Sequence, residues 1–283
     1  MDQSQKEEVK RLLGKKWKHR DIRDKTGVSL GSISNIRNNR DNKSLNNCNK
    51  TGQRNNDYIS IDGERRILVI GDLHEPFTRK KYLEFCKSIY DKYNCNEVIF
   101  IGDIIDNHYS SFYETDPDGH SAAKELKIAK DNVKKWYKTF PKAKVCIGNH
   151  DLIPARKLFS SGISKTWMRT IGEVLSTPNW EYAEEFIIDN VMYTHGTGKK
   201  ARSRMVYDLI SIVQGHYHSE SYINYSVGKF RKMFAMQVGC GVNDKSYAMA
   251  YGRHFNKMHI NCGVVLENGQ LPILEYMKLG HTQ

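Results

Sequence analysis

Residues 66–74 read Arg-Ile-Leu-Val-Ile-Gly-Asp-Leu-His, and this stretch decides the fold. Its unbroken apolar, largely β-branched run predicts a buried strand, ended by Gly71, with Asp72 and His74 on the loop that follows. The same arrangement recurs along the chain. Ile99-Phe100-Ile101 leads into Gly102-Asp103-Ile104-Ile105-Asp106, and Val145-Cys146-Ile147 leads into Gly148-Asn149-His150-Asp151. Tyr193-Thr194 leads into His195-Gly196, and Ile212-Val213-Gln214 leads into Gly215-His216-Tyr217-His218. Each polar group therefore falls where a strand ends and a loop begins. A sheet can deliver several strand ends to one rim, so residues far apart in sequence can meet in one cluster.

Asp oxygens, an Asn carbonyl and His imidazoles are ligands for hard or borderline divalent metals. Asp72, His74, Asp103, Asn149, His195, His216 and His218 make seven donors. A tetrahedral zinc needs about four. Seven suit two ions if one carboxylate bridges them, and such pairs sit roughly 3.5–4 Å apart in hydrolases that attack phosphorus. A single Gly-Asp is usually a turn, and a single His is usually a core or surface residue. Several strand-end coincidences in one chain are what point to a metal centre.

In these blocks and their order the chain resembles the calcineurin-like metallophosphoesterases, over about residues 66 to 279. The resemblance implies a four-layer α/β/β/α sandwich with a dinuclear centre at one edge of the sheets. It implies that Asp72, His74 and His218 hold one metal, that Asn149, His195 and His216 hold the other, and that Asp103 bridges them. It further implies that His150 faces the phosphate and protonates or stabilises the leaving oxygen, oriented by Asp151. In the protein Ser/Thr phosphatases of this superfamily an Arg follows the second block and grips phosphate. Here Asn107 and His108 follow Asp106, which argues against that branch. Glu75-Pro76 replaces the Gly that commonly follows the first His, a change expected to alter the pocket entrance.

The rest of the large region reads as strand–helix–strand–helix–strand followed by shorter strands. Helices are predicted over 79–93, 120–137 and 154–175. Strands are predicted over 97–102, 144–148, 182–188, 191–195, 210–215, 222–227, 232–238 and 261–276, with hairpin turns at Asp189-Asn190 and Asn268-Gly269.

The chain has 283 residues, 39% of them hydrophobic and 27% charged, which places it among globular proteins with one large domain and a small one. No apolar run is long enough to span a bilayer, and residues 1–10 are polar, so a cytoplasmic protein without a membrane partner is expected. The six cysteines form no CxxC pair and read as small hydrophobes in a reducing compartment.

Charge is uneven. Residues 1–56 hold fourteen Lys and Arg against six Asp and Glu, a net +8 of the total +12. Val9, Leu12, Leu13 and Trp17 fall at helical spacing, Ile22 marks a short second helix, and Thr26-Gly27-Val28-Ser29 makes a turn before a third helix from Leu30 to Arg40. This plan resembles the helix-turn-helix of resolvases and small transcription regulators, over Asp21 to Ile36. The resemblance implies a third helix in the DNA major groove, with Ser32, Asn35, Arg37 and Arg40 as contacts. Residues 41–65 form a polar, Asn-rich linker, so the expected order is a helix-turn-helix over 1–40, the linker, then a phosphoesterase domain over 66–279.

The expected function is a metal-dependent phosphodiesterase or nuclease on nucleic acid, DNA before RNA. A phosphomonoesterase acting on nucleotides or small phosphates, with the N-terminal part as a protein-docking module, is the alternative. Mn²⁺ is the first choice of metal, with Fe, Zn²⁺ or Ni²⁺ also suited to mixed Asp, Asn and His donors. Joining a helix-turn-helix to a phosphoesterase also resembles phage or mobile-element proteins. No Gly-rich phosphate cradle with its Lys and no Gly-x-Ser-x-Gly elbow is present, so nucleotide-driven work and serine hydrolase chemistry are not expected.

Overall fold

The computed structural model describes residues 3–15, 17–30, 32, 33, 36, 63–112, 115–247 and 257–279. The chain divides into two compact units, residues 1–56 and 57–283.

In the first unit, α1 (Gln3–Gly14) and α2 (His19–Thr26) are followed by further helical residues from Leu30. Gly27 ends α2 in the left-handed region at φ +68°, where its N–H donates to the Arg23 carbonyl at 2.8 Å. The Ser29 hydroxyl accepts the Ser32 N–H at 3.3 Å, a cap on the helical residues that follow. Val9, Leu12, Ile22, Val28, Ile33 and Ile36 are buried together, so this small unit has its own apolar cluster. Among the site residues expected here, Ser32 is half-buried, while Asn35, Arg37 and Arg40 lie outside the described residues.

The second unit is a mixed α/β fold with two sheets. The first sheet runs β11-β10-β1-β2-β3-β4. Its members are β1 (Ile67–Ile70), β2 (Glu97–Phe100), β3 (Ala143–Cys146), β4 (Trp180–Ala183), β10 (Asn261–Leu266) and β11 (Leu271–Tyr276). β1, β2, β3 and β4 are parallel, and β10 pairs antiparallel with β1. The second sheet runs β5-β6-β7-β9-β8, formed by β5 (Glu185–Ile188), β6 (Val191–Thr194), β7 (Ser211–Gln214), β8 (Tyr222–Val227) and β9 (Lys232–Gln237).

Strand alternation sorts the side chains into layers. Val69, Ile99, Ile101 and Cys146 from the first sheet pack on Tyr193, Val213 and Met236 from the second. The opposite face of the first sheet, with Leu68, Ile70 and Phe100, packs on α3 (Tyr82–Lys92) and α4 (Ala122–Thr139) through Tyr82, Cys86, Val133 and Trp136. The far face of the second sheet meets α7 (Ala201–Asp208) through Ala201 and Met205. Helices, sheet, sheet and helix thus follow in sequence, and all five described cysteines are free and buried among them.

Two sequence expectations are corrected. The helix read over 154–175 breaks into α5 (Ile153–Ser160), a 3-10 turn at Lys165–Trp167 and α6 (Ile171–Leu175). The hydroxyls of Ser160 and Ser161 donate back to the Arg156 and Lys157 carbonyls, and Gly162 then turns left-handed at φ +72°. The single strand read over 182–188 is two strands in two sheets. Tyr182 pairs with Val145 in the first, whereas Phe186 pairs with Tyr193 in the second.

Candidate metal centre

The parallel strands β1, β2 and β3 end together, and each hands its polar residue to the same rim. His74, Asp103 and His216 leave their strands with left-handed backbones, at φ +50°, +47° and +71°. For residues other than glycine this conformation costs on the order of 1–2 kcal/mol each, and it is found where surrounding structure imposes it. At His74 the Asp103 carbonyl imposes it by accepting both the Leu73 and His74 N–H groups, at 3.1 and 2.8 Å.

Asp72, His74 and His218 offer donor atoms within 4.8 Å of one another, and so do Asp103, His195 and His216. Asp103 joins the two groups. Its Oδ2 lies 3.4 Å from His74 Nε2 and 3.2 Å from His195 Nε2. Asn149 Oδ1 is 2.9 Å from His195 Nε2, and His218 Nε2 is 3.0 Å from Asp72 Oδ2. All seven expected donors are therefore gathered at one place. Two glycines of the blocks explain themselves sterically. A Cβ on Gly148 would stand 2.1 Å from Asp103 Oδ1, and one on Gly215 would stand 2.4 Å from Asp72 Oδ1, so each carboxylate uses space that only glycine leaves open.

These residues fit a cation. Asp72 Oδ1 and His74 Nε2 are buried without a hydrogen-bond partner, a costly state for polar atoms unless a further group meets them. Burial pushes the Asp103 carboxyl up, but the surrounding His195, His74 and His150 outweigh it and hold the group far below the usual carboxylate range. Burial pushes His195 down, yet Asp103 and Asp72 outweigh it and raise the imidazole to about 10. The two carboxylates thus draw positive charge to the middle of the cluster.

His150 lies beside the cluster, its ring centroid 4.5 Å from that of His74. Its Nδ1 sits 2.7 Å from the Asp106 carbonyl oxygen, which can only accept. Nδ1 therefore carries the proton and donates, leaving Nε2 available for a substrate. The orienting role expected of Asp151 falls to Asp106 instead. Asp151 is buried, accepting the Gly148 N–H at 2.9 Å and the Ile105 N–H at 3.2 Å, and burial beside Asp103 raises its carboxyl to about 7. It ties two ligand loops together and does not bond the His150 ring.

Asp106 is the residue that sequence reasoning left without a role. Its Oδ1 lies 2.6 Å from His74 Nδ1, so one residue fixes both His74 and His150. The signal was the second Asp of Gly102-Asp103-Ile104-Ile105-Asp106. Glu75 is buried, accepting from Trp136 Nε1 and Asn132 Nδ2 at 2.9 Å each, which anchors the first ligand loop to α4. Asn107, at the position of the missing Arg, donates to the His150 carbonyl at 2.9 Å.

A two-sheet α/β frame with carboxylate, amide and imidazole donors gathered at its strand ends describes a metal-binding class of protein. The pattern of the calcineurin-like phosphoesterases matches residues 65–236, and the chain belongs to that family. No curated protein sequence matches the chain. Among solved structures the chain is similar to vacuolar protein sorting 29 from Cryptosporidium parvum, at 12% identity over 78% of this chain and 94% of that one, with a TM-score of 0.42. A metallophosphoesterase from Sphaerobacter thermophilus is similar at 12% identity over 77% and 89%, TM-score 0.42. The nuclease MPE of Pseudomonas putida is similar at 11% identity over 64% and 76%, TM-score 0.36. Among the described residues no helix is long and apolar enough to cross a membrane.

Proposed function

We propose that the chain is a metal-dependent phosphodiesterase that cuts nucleic acid at a dinuclear centre. The observation that carries this reading is the position of Asp103, whose Oδ2 lies within 3.4 Å of a nitrogen in each of two donor groups. Asp72, His74 and His218 would hold one cation, Asn149, His195 and His216 the other, and Asp103 both. Divalent cations held there would supply an ionised water near neutral pH and neutralise the phosphoryl oxygens.

The chain's own residues do the rest. Asp106 holds His74 and His150 in fixed tautomers, Asp151 and Asn107 hold the loop that carries Asn149 and His150, and His150 Nε2 would carry a proton to the leaving oxygen. Mn²⁺ is the metal we favour, and Fe, Zn²⁺ and Ni²⁺ suit the same donors.

The nucleic-acid assignment draws on residues 1–56. Their net +8 and small helical cluster fit a helix-turn-helix that brings DNA to a tethered hydrolase, within a cytoplasmic protein. Elemental analysis after Mn²⁺ loading should give two ions per chain, and hydrolysis of bis-p-nitrophenyl phosphate should exceed that of p-nitrophenyl phosphate. One ion with full activity removes the dinuclear centre. A preference for the monoester, with no cleavage of DNA or RNA, replaces the diesterase by a phosphomonoesterase whose N-terminal unit docks protein.

A further inference from the structure

Directly after the ligand block Gly148-Asn149-His150-Asp151, the chain carries twenty-one residues, 152–172, with four cations and no Asp or Glu. The cations Arg156, Lys157, Lys165 and Arg169 are all exposed, and among the described residues none is held in a salt bridge. Interleaved with them are aromatic rings that a folded core would normally claim. Trp167 is 84% exposed and Phe159 is 73% exposed. Across from α5, Phe112 is 52% exposed and lies under two of these cations, 4.8 Å from the Arg156 guanidinium and 5.4 Å from Lys157 Nζ. Both segments are attached to the metal centre by hydrogen bonds. Asn107, before the Phe112 loop, donates to the His150 carbonyl, and the first residue of α5, Ile153, donates to the same carbonyl at 3.1 Å. The strip therefore starts at His150 and leads away from it.

Large rings left exposed among exposed cations suit an interaction surface. Free cations beside exposed ring faces, leading from a site that attacks phosphate esters, match a chain of alternating phosphates and unpaired bases. Bases stack on aromatic faces, and Lys and Arg follow the backbone. We infer that Phe112, Arg156, Lys157, Phe159 and Trp167 form a binding strip for single-stranded nucleic acid, which stacks unpaired bases and feeds the strand to the metal centre. This inference rests on the nucleic-acid reading above. A paired duplex hides its base faces, so the strip selects ends, flaps, gaps and unwound strands.

The test uses the full chain loaded with Mn²⁺, and compares wild type, Phe112→Ala with Trp167→Ala, and Arg156→Gln with Lys157→Gln. The probes are fluorescein-labelled oligo-dT, oligo-U, an abasic strand of equal length, a blunt duplex, and anionic phosphatidylserine vesicles. Loss of the two rings is expected to raise Kd and KM for oligo-dT and oligo-U by about 10-fold or more and to erase the preference over the abasic strand. The paired cation variant is expected to flatten the salt dependence of single-strand binding, by about 0.7 in slope for each phosphate no longer neutralised. Hydrolysis of bis-p-nitrophenyl phosphate should be unchanged in both, which also certifies folding. The inference is overturned if the ring variant binds both oligomers as wild type does, or if vesicle binding alone changes, which would make the strip a membrane contact. Oligomer cleavage that is indifferent to the variants leaves the diesterase standing and removes the strip. Ring-dependent oligomer binding without cleavage keeps the strip and removes the diesterase.

Discussion

Asp106 touches no expected ligand position except through His74, yet two histidines depend on it. Outer partners of this kind orient a ligating imidazole and raise its basicity, and their loss typically costs 10–100-fold in metal affinity. Asp106→Asn should therefore weaken Mn²⁺ binding by about that factor, read by competition with a fluorescent chelator, and an unchanged affinity would reduce Asp106 to packing. His150→Ala belongs to the same scale but should divide differently. It should keep both ions and lower kcat by about 10²–10⁴-fold for esters with poor leaving groups, with a smaller loss for acidic ones that depart without a proton. Equal losses for both would assign His150 to binding. The seven donors were legible because each follows its own strand by one to four residues, which local sequence displays. The role of Asp106 was not, because it depends on how a loop closes against a residue 32 positions earlier.

At the scale of elements, α4 is fastened to the ligand loops by two buried carboxylates. Glu75 reaches it from the first loop, and Glu125 reaches out from it to accept the His108 N–H at 2.8 Å. Burial, reinforced by nearby Asp106, raises the Glu125 carboxyl from 4.5 to about 7. A carboxyl raised in the folded state favours folding while protonated, so its contribution is complete below about pH 4.5 and disappears as pH climbs through 7. Thermal unfolding of metal-free Glu125→Gln and wild type should give similar midpoints near pH 5 and a higher midpoint for the variant above pH 7. Parallel curves across that range would contradict it. Elements also mark where sequence reading ran out. The run Tyr182 to Ile188 has the composition of one strand, and nothing local announces that Glu184 passes the chain from one sheet to the other. The helix over 154–175 was read through Ser160-Ser161-Gly162 because its apolar spacing continues, whereas local hydroxyl bonds and a left-handed glycine end it.

Among the described residues of the whole molecule, the apolar cluster of residues 9–36 draws on no residue of the larger unit, which holds three clusters of its own. Removing residues 1–56 should leave bis-p-nitrophenyl phosphate hydrolysis within about 2-fold of the full chain, because no proposed ligand is lost, and should weaken duplex DNA binding in a salt-dependent way. Equal binding by both forms across a salt series would show that the N-terminal unit docks something other than DNA. The larger unit carries a different consequence in its strand order. β1, the earliest strand among the described residues, lies between β2 and β10, and its Ile67 pairs with Val265. During synthesis the first strand leaves the ribosome with one flank open, and its permanent neighbour arrives almost two hundred residues later. Until then the exposed edge of Ile67–Ile70 can recruit strands from other chains, and closure over so long a loop is slow. A chain stopped at residue 236, where the family match ends, would carry every metal donor and still leave that flank bare. Such a fragment should collect in inclusion bodies, or be clipped quickly by protease, while the full chain stays soluble.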